Sequence, residues 1–104
     1  NSTTALHNKS HAMDMYGFFN SLEDIENTLS IEILKIKTAR GIAYFYNELQ
    51  LVDIPITQVL NEIKQIPKGC NLLKNLKFPD FLFFIFPKIY MQIDKIRLSR
   101  LRNN

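Results

Sequence analysis

Few side chains in this chain could do chemistry. Two histidines, His7 and His11, stand four apart near the start, and there is one cysteine, Cys70. On a helix the two imidazoles would share a face, as two ligands of a transition metal do. No third ligand lies near them, so the pair reads as part of a polar terminus rather than as a metal site. Cys70 has no histidine to act as its base, because both histidines fall in that terminal stretch. A single thiol cannot close a disulfide within the chain or build a cysteine-based zinc site, and it suits a reducing compartment. The three glycines stand far apart, which excludes a glycine-rich phosphate loop. Glu23, Asp24 and Glu26 crowd together, but carboxylates at the start of a helix complement its dipole and face solvent. These residues predict a protein with no catalytic role, no metal and no cofactor.

Charge is more telling. Residues 1–62 hold 4 Lys/Arg and 8 Asp/Glu, whereas residues 63–104 hold 9 and 2, so net charges of −4 and +7 make up the overall +3. A basic half of this kind attracts nucleic acid, acidic lipid or an acidic peptide. The candidate basic face is Lys74, Lys77, Lys88, Arg97 and Arg100. Lys88, Arg97 and Arg100 are expected to share a face of the last helix, with Lys95 and Arg102 apart. The tyrosines and phenylalanines do not alternate with these cations, so base stacking is not indicated.

The elements that must position these residues are helical. With 46% hydrophobic and 22% charged residues the chain can build one core, and 104 residues make one domain. No segment has the roughly 20 apolar residues needed to span a bilayer. The expected organisation is an irregular tail over residues 1–18, part of it resembling a cloning remnant, followed by a compact all-α five-helix bundle over residues 19–102. Ser21 with Asp24 has the form of a capped helix start, leading to a short helix as far as Leu29. Ser30–Ile33 then reads as a connection. Ile36, Ala39, Ala43, Tyr46 and Leu49 recur at helical spacing, Ile42 and Phe45 widen the stripe, and Gly41 inside it allows close helix packing. Asp53 to Pro55 ends that helix. Thr57 caps the next, which buries Val59, Leu60 and Ile63. Cys70, Leu72, Leu73 and Leu76 make a short fourth helix. Pro79 opens a fifth, with Ile85, Ile89, Ile93 and Ile96 as its buried stripe. Pro87, which removes a backbone hydrogen bond, kinks or splits it.

The run FPDFLFFIF (Phe78 to Phe86) is too apolar for water and too short for a membrane, so most of it is expected in the core. A buried strand is rejected, because no second strand-like run exists to pair with it. Phe78 is the exception. It stands before Pro79 and Asp80, at a break between helical patterns, where a ring can be presented to a partner.

Two stretches resemble a known family. Ile25 to Ile36 reads IENTLSIEILKI and Leu73 to Asp80 reads LKNLKFPD. The first resembles the first helix and following loop of the integrase-binding domain of lens-epithelium-derived growth factor, with Ile25, Asn27, Thr28, Leu29, Ile31, Glu32 and Leu34 at the patterned places. The second resembles that family's leucine and basic run ending in an exposed phenylalanine. ELQLVDIPITQVLNEI (Glu48 to Ile63) is similar to the second-to-third helix passage of the wider superfamily, the N-terminal domain of transcription elongation factor S-II. The resemblance covers roughly residues 20–98. Glu32 stands where the family has aspartate, and Pro79 and Asp80 stand where it has a basic and an apolar residue. The resemblance implies a helical adaptor in the nucleus, within a transcription or chromatin complex, that docks disordered peptides in a pocket between two interhelical loops. It implies Glu32 as acceptor for peptide N–H groups and Ile31 and Phe78 as pocket walls, with Leu34 and Asp80 completing the peptide-binding set.

The leading expectation is therefore a non-enzymatic adaptor for an acidic, aromatic linear motif, steered by the basic half. The alternative is a nucleic-acid-binding helical domain using the same cations. A third is a subunit whose phenylalanine-rich face packs permanently on a partner. No membrane role is expected.

Overall fold

The computed structural model describes residues 2–103, and side chains from residue 8 to residue 101. Among the described residues there are helices and no strands. Helix α1 is Ser2–Ser21, followed by a 3-10 turn at Leu22–Asp24. Then come α2 (Leu29–Leu49), α3 (Ile56–Lys64), α4 (Cys70–Lys74), α5 (Phe78–Ile85) and α6 (Pro87–Asn103). The expected all-α bundle is observed, and FLFFIF is helical. The molecule measures 41 × 26 × 19 Å.

Helix α2 is the axis of the bundle and packs against all five other helices. Its sequence explains why. Ile36, Ala39, Ile42 and Ala43 are fully buried, and Phe45, Tyr46 and Leu49 pack around them. Small alanines let neighbours approach on one side while aromatics fill the other. A Cβ placed on Gly41 would overlap the thioether methyl of Met15, so this glycine admits α1 to close range, as its position inside the stripe suggests. At the end of α2, Gln50 adopts the left-handed conformation (φ 53°) and its N–H donates to the Tyr46 carbonyl, closing the helix before Asp53–Pro55.

Several local expectations are corrected. The irregular tail does not extend over residues 8–18, which belong to α1. Ala12 and Phe19 are buried there, with Met15 and Tyr16 packed beside them, an i, i+3/i+4, i+7 stripe laid on α2. The stripe is short and uses alanine and methionine, so it is faint among the polar residues around it. The side chains of residues 1–7, His7 included, lie outside the described residues. His11 packs edge-on against Phe45, with ring centroids 5.5 Å apart.

Ser21 is not a cap. It is the last residue of α1, and its hydroxyl donates to the Phe18 carbonyl. The cap belongs to Thr28, whose Oγ1 accepts the Ile31 N–H at 3.3 Å. Ser30–Ile33 is consequently the first turn of α2 and not a connection. Thr57 sits inside α3, which starts after Pro55 and has no side-chain cap. Val59, Leu60 and Ile63 are buried as expected.

Pro87 does split the last helix, and this changes which face is buried. Pro87, Tyr90, Met91, Asp94 and Leu98 turn toward α2 and α5, whereas Ile89, Ile93 and Ile96 are each just over half exposed. Of the expected buried isoleucine stripe, Ile85 packs partly buried against the core, and the other three form an exposed one. Among the run's phenylalanines, Phe83 and Phe84 are fully buried, but Phe78, Phe81 and Phe86 remain exposed. Most of the run's rings therefore lie outside the core.

Candidate functional site

Two polar clamps fasten α5 and α6 to the axis helix. Arg40 of α2 donates from Nε to Oδ1 of Asp80 at 2.6 Å and from Nη1 to the Tyr90 hydroxyl at 3.3 Å. One turn pair further on, Asn47 Nδ2 donates to the Met91 carbonyl at 3.1 Å and reaches Oδ2 of Asp94. The same Asp94 accepts from Nη2 of Arg97 through Oδ1. Asp80 and Asp94 are only 2% and 3% exposed. A buried carboxylate must be paired, and here each is paired with an arginine that reaches the surface. Burial works against the charge on Arg40, but hydrogen bonds to Tyr90 and Asp80 outweigh it and hold its pKa above the ordinary value.

Arg40, Tyr90, Asp94 and Arg97 of these clamps form the floor of a groove of about 350 Å³ between α2, α5 and α6. Its walls are Phe78, Pro79, Leu82 and Ile93, and Arg40, Tyr90, Asp94 and Arg97 supply the polar lining. A shallower depression of about 260 Å³, bounded by Ile93, Ile96, Arg97 and Arg100, continues it along α6. Ile93 and Arg97 belong to both, so the two make one trough. From Tyr90 to Arg100 it runs about 15 Å at 1.5 Å per helical residue. Phe78, 75% exposed, stands at one end.

A second groove, about 320 Å³, lies on another part of the surface, lined by Phe19, Glu23, Asn27, Glu32, Lys35 and Glu62 with Ile63, Gln65, Ile66 and Pro67. Burial pushes the Glu62 carboxyl up, and a hydrogen bond and repulsion from Glu23 add to it, bringing it to about 7. Gln58 and Lys35 act in the opposite direction.

Of the residues expected to form one peptide pocket, only Glu32 and Phe78 line these grooves, one each, and Ile31, Leu34 and Asp80 line neither. Glu32 lines the second groove and lies 3.4 Å from the Asn27 amide that donates to it, and Phe78 lines the first. Asp80 contacts Arg40, two turns along α2 from Glu32, about 12 Å in axial distance. Ile31, Glu32 and Leu34 are half-buried in the opening turns of α2, not in a loop. Asp80 is buried beneath Arg40 and is a structural partner instead of a surface acceptor. The expected single pocket is thus replaced by two separate grooves.

The basic candidates fare differently. Lys74, Lys77, Lys88, Arg97 and Arg100 are all exposed, and Arg97 and Arg100 flank the trough, but Lys88, nine residues from Arg97 on α6, is turned about half a revolution away, so the expected shared face of the three is not formed. The sequence reading missed Arg40, Tyr90, Asp94 and the outward isoleucines. The signal the sequence carries for them is a competing stripe of Pro87, Tyr90, Met91, Asp94 and Leu98, at helical spacing but interrupted by an aspartate.

Comparison with protein-family models, with curated proteins and with solved structures finds no match to this chain. Among the described residues no helix is long and apolar enough to cross a membrane, and no cluster of three or more His, Cys, Asp or Glu could hold a metal ion.

Proposed function

We propose that this chain is a non-enzymatic protein-interaction domain that docks an acidic amphipathic segment of a partner along the trough on α5 and α6. One observation carries the reading. From residue 63 onward the only acids are Asp80 and Asp94, both buried and both paired with arginine, while Lys64, Lys68, Lys74, Lys77, Lys88, Lys95, Arg97 and Arg100 are all exposed. An exposed apolar strip of Phe78, Phe86, Ile89, Ile93 and Ile96 therefore lies in a stretch of chain, residues 63–101, whose exposed charged side chains are all cationic. The complement of such a surface is a segment with apolar anchors and carboxylates.

The concave groove favours an inserted side chain over a bilayer, which is better met by a protruding wedge. Two copies of a cationic face repel, which disfavours self-association through it. Three of the five strip residues are isoleucines, which offer nucleic acid no stacking platform. A nuclear setting in transcription or chromatin is proposed as well, and its support is the resemblance to the integrase-binding domain alone.

The test is fluorescence anisotropy with labelled acidic amphipathic peptides, a charge-reversed control, duplex DNA and anionic vesicles. Acidic peptides should bind, and Ile93→Ser or Ile96→Ser should weaken them at least tenfold with the fold intact, as hot-spot truncation does. Glu32→Ala should leave the affinity unchanged. Preferential binding of DNA with a steep salt dependence, or of vesicles, would replace this reading.

A further inference from the structure

We propose that Arg40 and Arg97 are a preset pair of hydrogen-bond donors that grip a single carboxylate of the docked segment, while the apolar residue beside that carboxylate enters the groove next to Phe78, Leu82 and Ile93. This rests on the docking function above and specifies its anchor.

The two guanidinium groups come from different helices, α2 and α6, yet line one groove. Each is oriented from behind. Asp80 and Tyr90 hold Arg40, and Asp94, itself held by Asn47, holds Arg97. A guanidinium has five N–H donors in a rigid plane. Arg40 spends two of them on Asp80 and Tyr90, and Arg97 spends one on Asp94, so donors remain on both. Side-chain exposures of 37% for Arg40 and 63% for Arg97 leave them open to a ligand, whereas their aspartates are covered at 3%.

The aspartates have a second consequence. Each cancels the charge of its arginine, so the groove floor with the Asp80 carboxylate behind it holds two cations and two anions. Attraction by net charge must then come from Arg100, which lines the continuation of the groove, and at longer range from the exposed lysines of residues 63–101, and the floor contributes oriented donors. Such a floor selects a planar carboxylate for its geometry, and lysine cannot substitute for arginine in that task. The apolar wall that lines the same groove, with Ile93 about one helical turn from Arg97, sets the neighbouring residue as a bulky apolar one.

The experiment uses the full chain and three labelled amphipathic peptides that differ only in the residue beside a central phenylalanine, which is Glu, Gln or Lys. On the wild type the Glu peptide should bind at least tenfold tighter than the Gln peptide. In Arg97→Lys and in Arg40→Lys, which keep the charge and the aspartate partner, that ratio should fall below about threefold. Arg97→Gln serves as the second variant, since Arg97 is well exposed and Asn47 still bonds Asp94; thermal melts accompany all three. If the Glu/Gln ratio stays unchanged in every variant while binding persists, the arginine grip is wrong and the docking function stands. If none of the peptides binds the wild type, the docking function itself fails and the grip with it.

Discussion

The orientation of α6 is open to a direct test, because one residue type at one position separates the two facings of that helix. Ile93→Ala removes three carbon groups. Were Ile93 in the core, the loss would be about 2.4 kcal/mol at about 0.8 kcal/mol per buried CH₂, before any cavity term. Ile93 is 53% exposed, so somewhat less than half of that transfer energy is at stake, about 1.1 kcal/mol. Alanine recovers about 0.4 kcal/mol through its better helix propensity, and an exposed site leaves no cavity. The net cost is then about 0.7 kcal/mol. Phe83 lies at 0% exposure among Phe84, Tyr90 and the α2 side chains, and Phe83→Ala should cost about 3–5 kcal/mol. In urea, with a slope of about 1–3 kcal/mol/M, the first change moves the midpoint by less than about 0.7 M, and the second removes much of a small domain's total stability. Equal midpoint shifts for the two variants would mean that α6 is turned by about half a revolution from the arrangement described. The trough, and the docking site built on it, would then disappear.

Two further outcomes are expected. The Glu62 carboxyl titrates at about 7 in the folded protein against an ordinary 4.5, so between these values the native state keeps a proton that the unfolded chain has released. Stability should fall as pH rises from about 4.5 through 7 and level off above it, and Glu62→Gln should flatten that slope in thermal melts taken across the range; a wild-type stability that rises over the same window would contradict the Glu23–Glu62 pairing. Thr28→Ala should cost about 1 kcal/mol by loss of the α2 cap, and Ser21→Ala less than about 0.5 kcal/mol, both read from chemical denaturation, with the reverse order showing that the helix begins at Ser21 after all.

Much of the fold was legible in the residues themselves. Helical periodicity without any strand partner determined an all-α bundle, and the stripe through Ile36, Ala39, Ile42 and Ala43 marked the axis helix and its buried side. The prolines were reliable because their effect is covalent. Pro79 opens a helix and Pro87 breaks one wherever the chain goes, since the missing N–H is a local fact. The charge division between the two halves was likewise a matter of composition. What the periodicity could not decide was phase. Helix α6 carries apolar residues on two sides, and the choice between the isoleucines and the Pro87, Tyr90, Met91, Asp94 and Leu98 side depended on Asn47 and Arg40 of a distant helix offering partners to Asp94 and Tyr90. A buried aspartate is favourable only when such partners arrive, and nothing within α6 announces them. The same applies to α1, whose small stripe gains its meaning from the gap over Gly41. Composition thus determined that the second half is basic. Tertiary structure alone decided that its two acids are hidden and paired, because only folding could bring Arg40 to Asp80 and leave the cations and the isoleucines together on the outside.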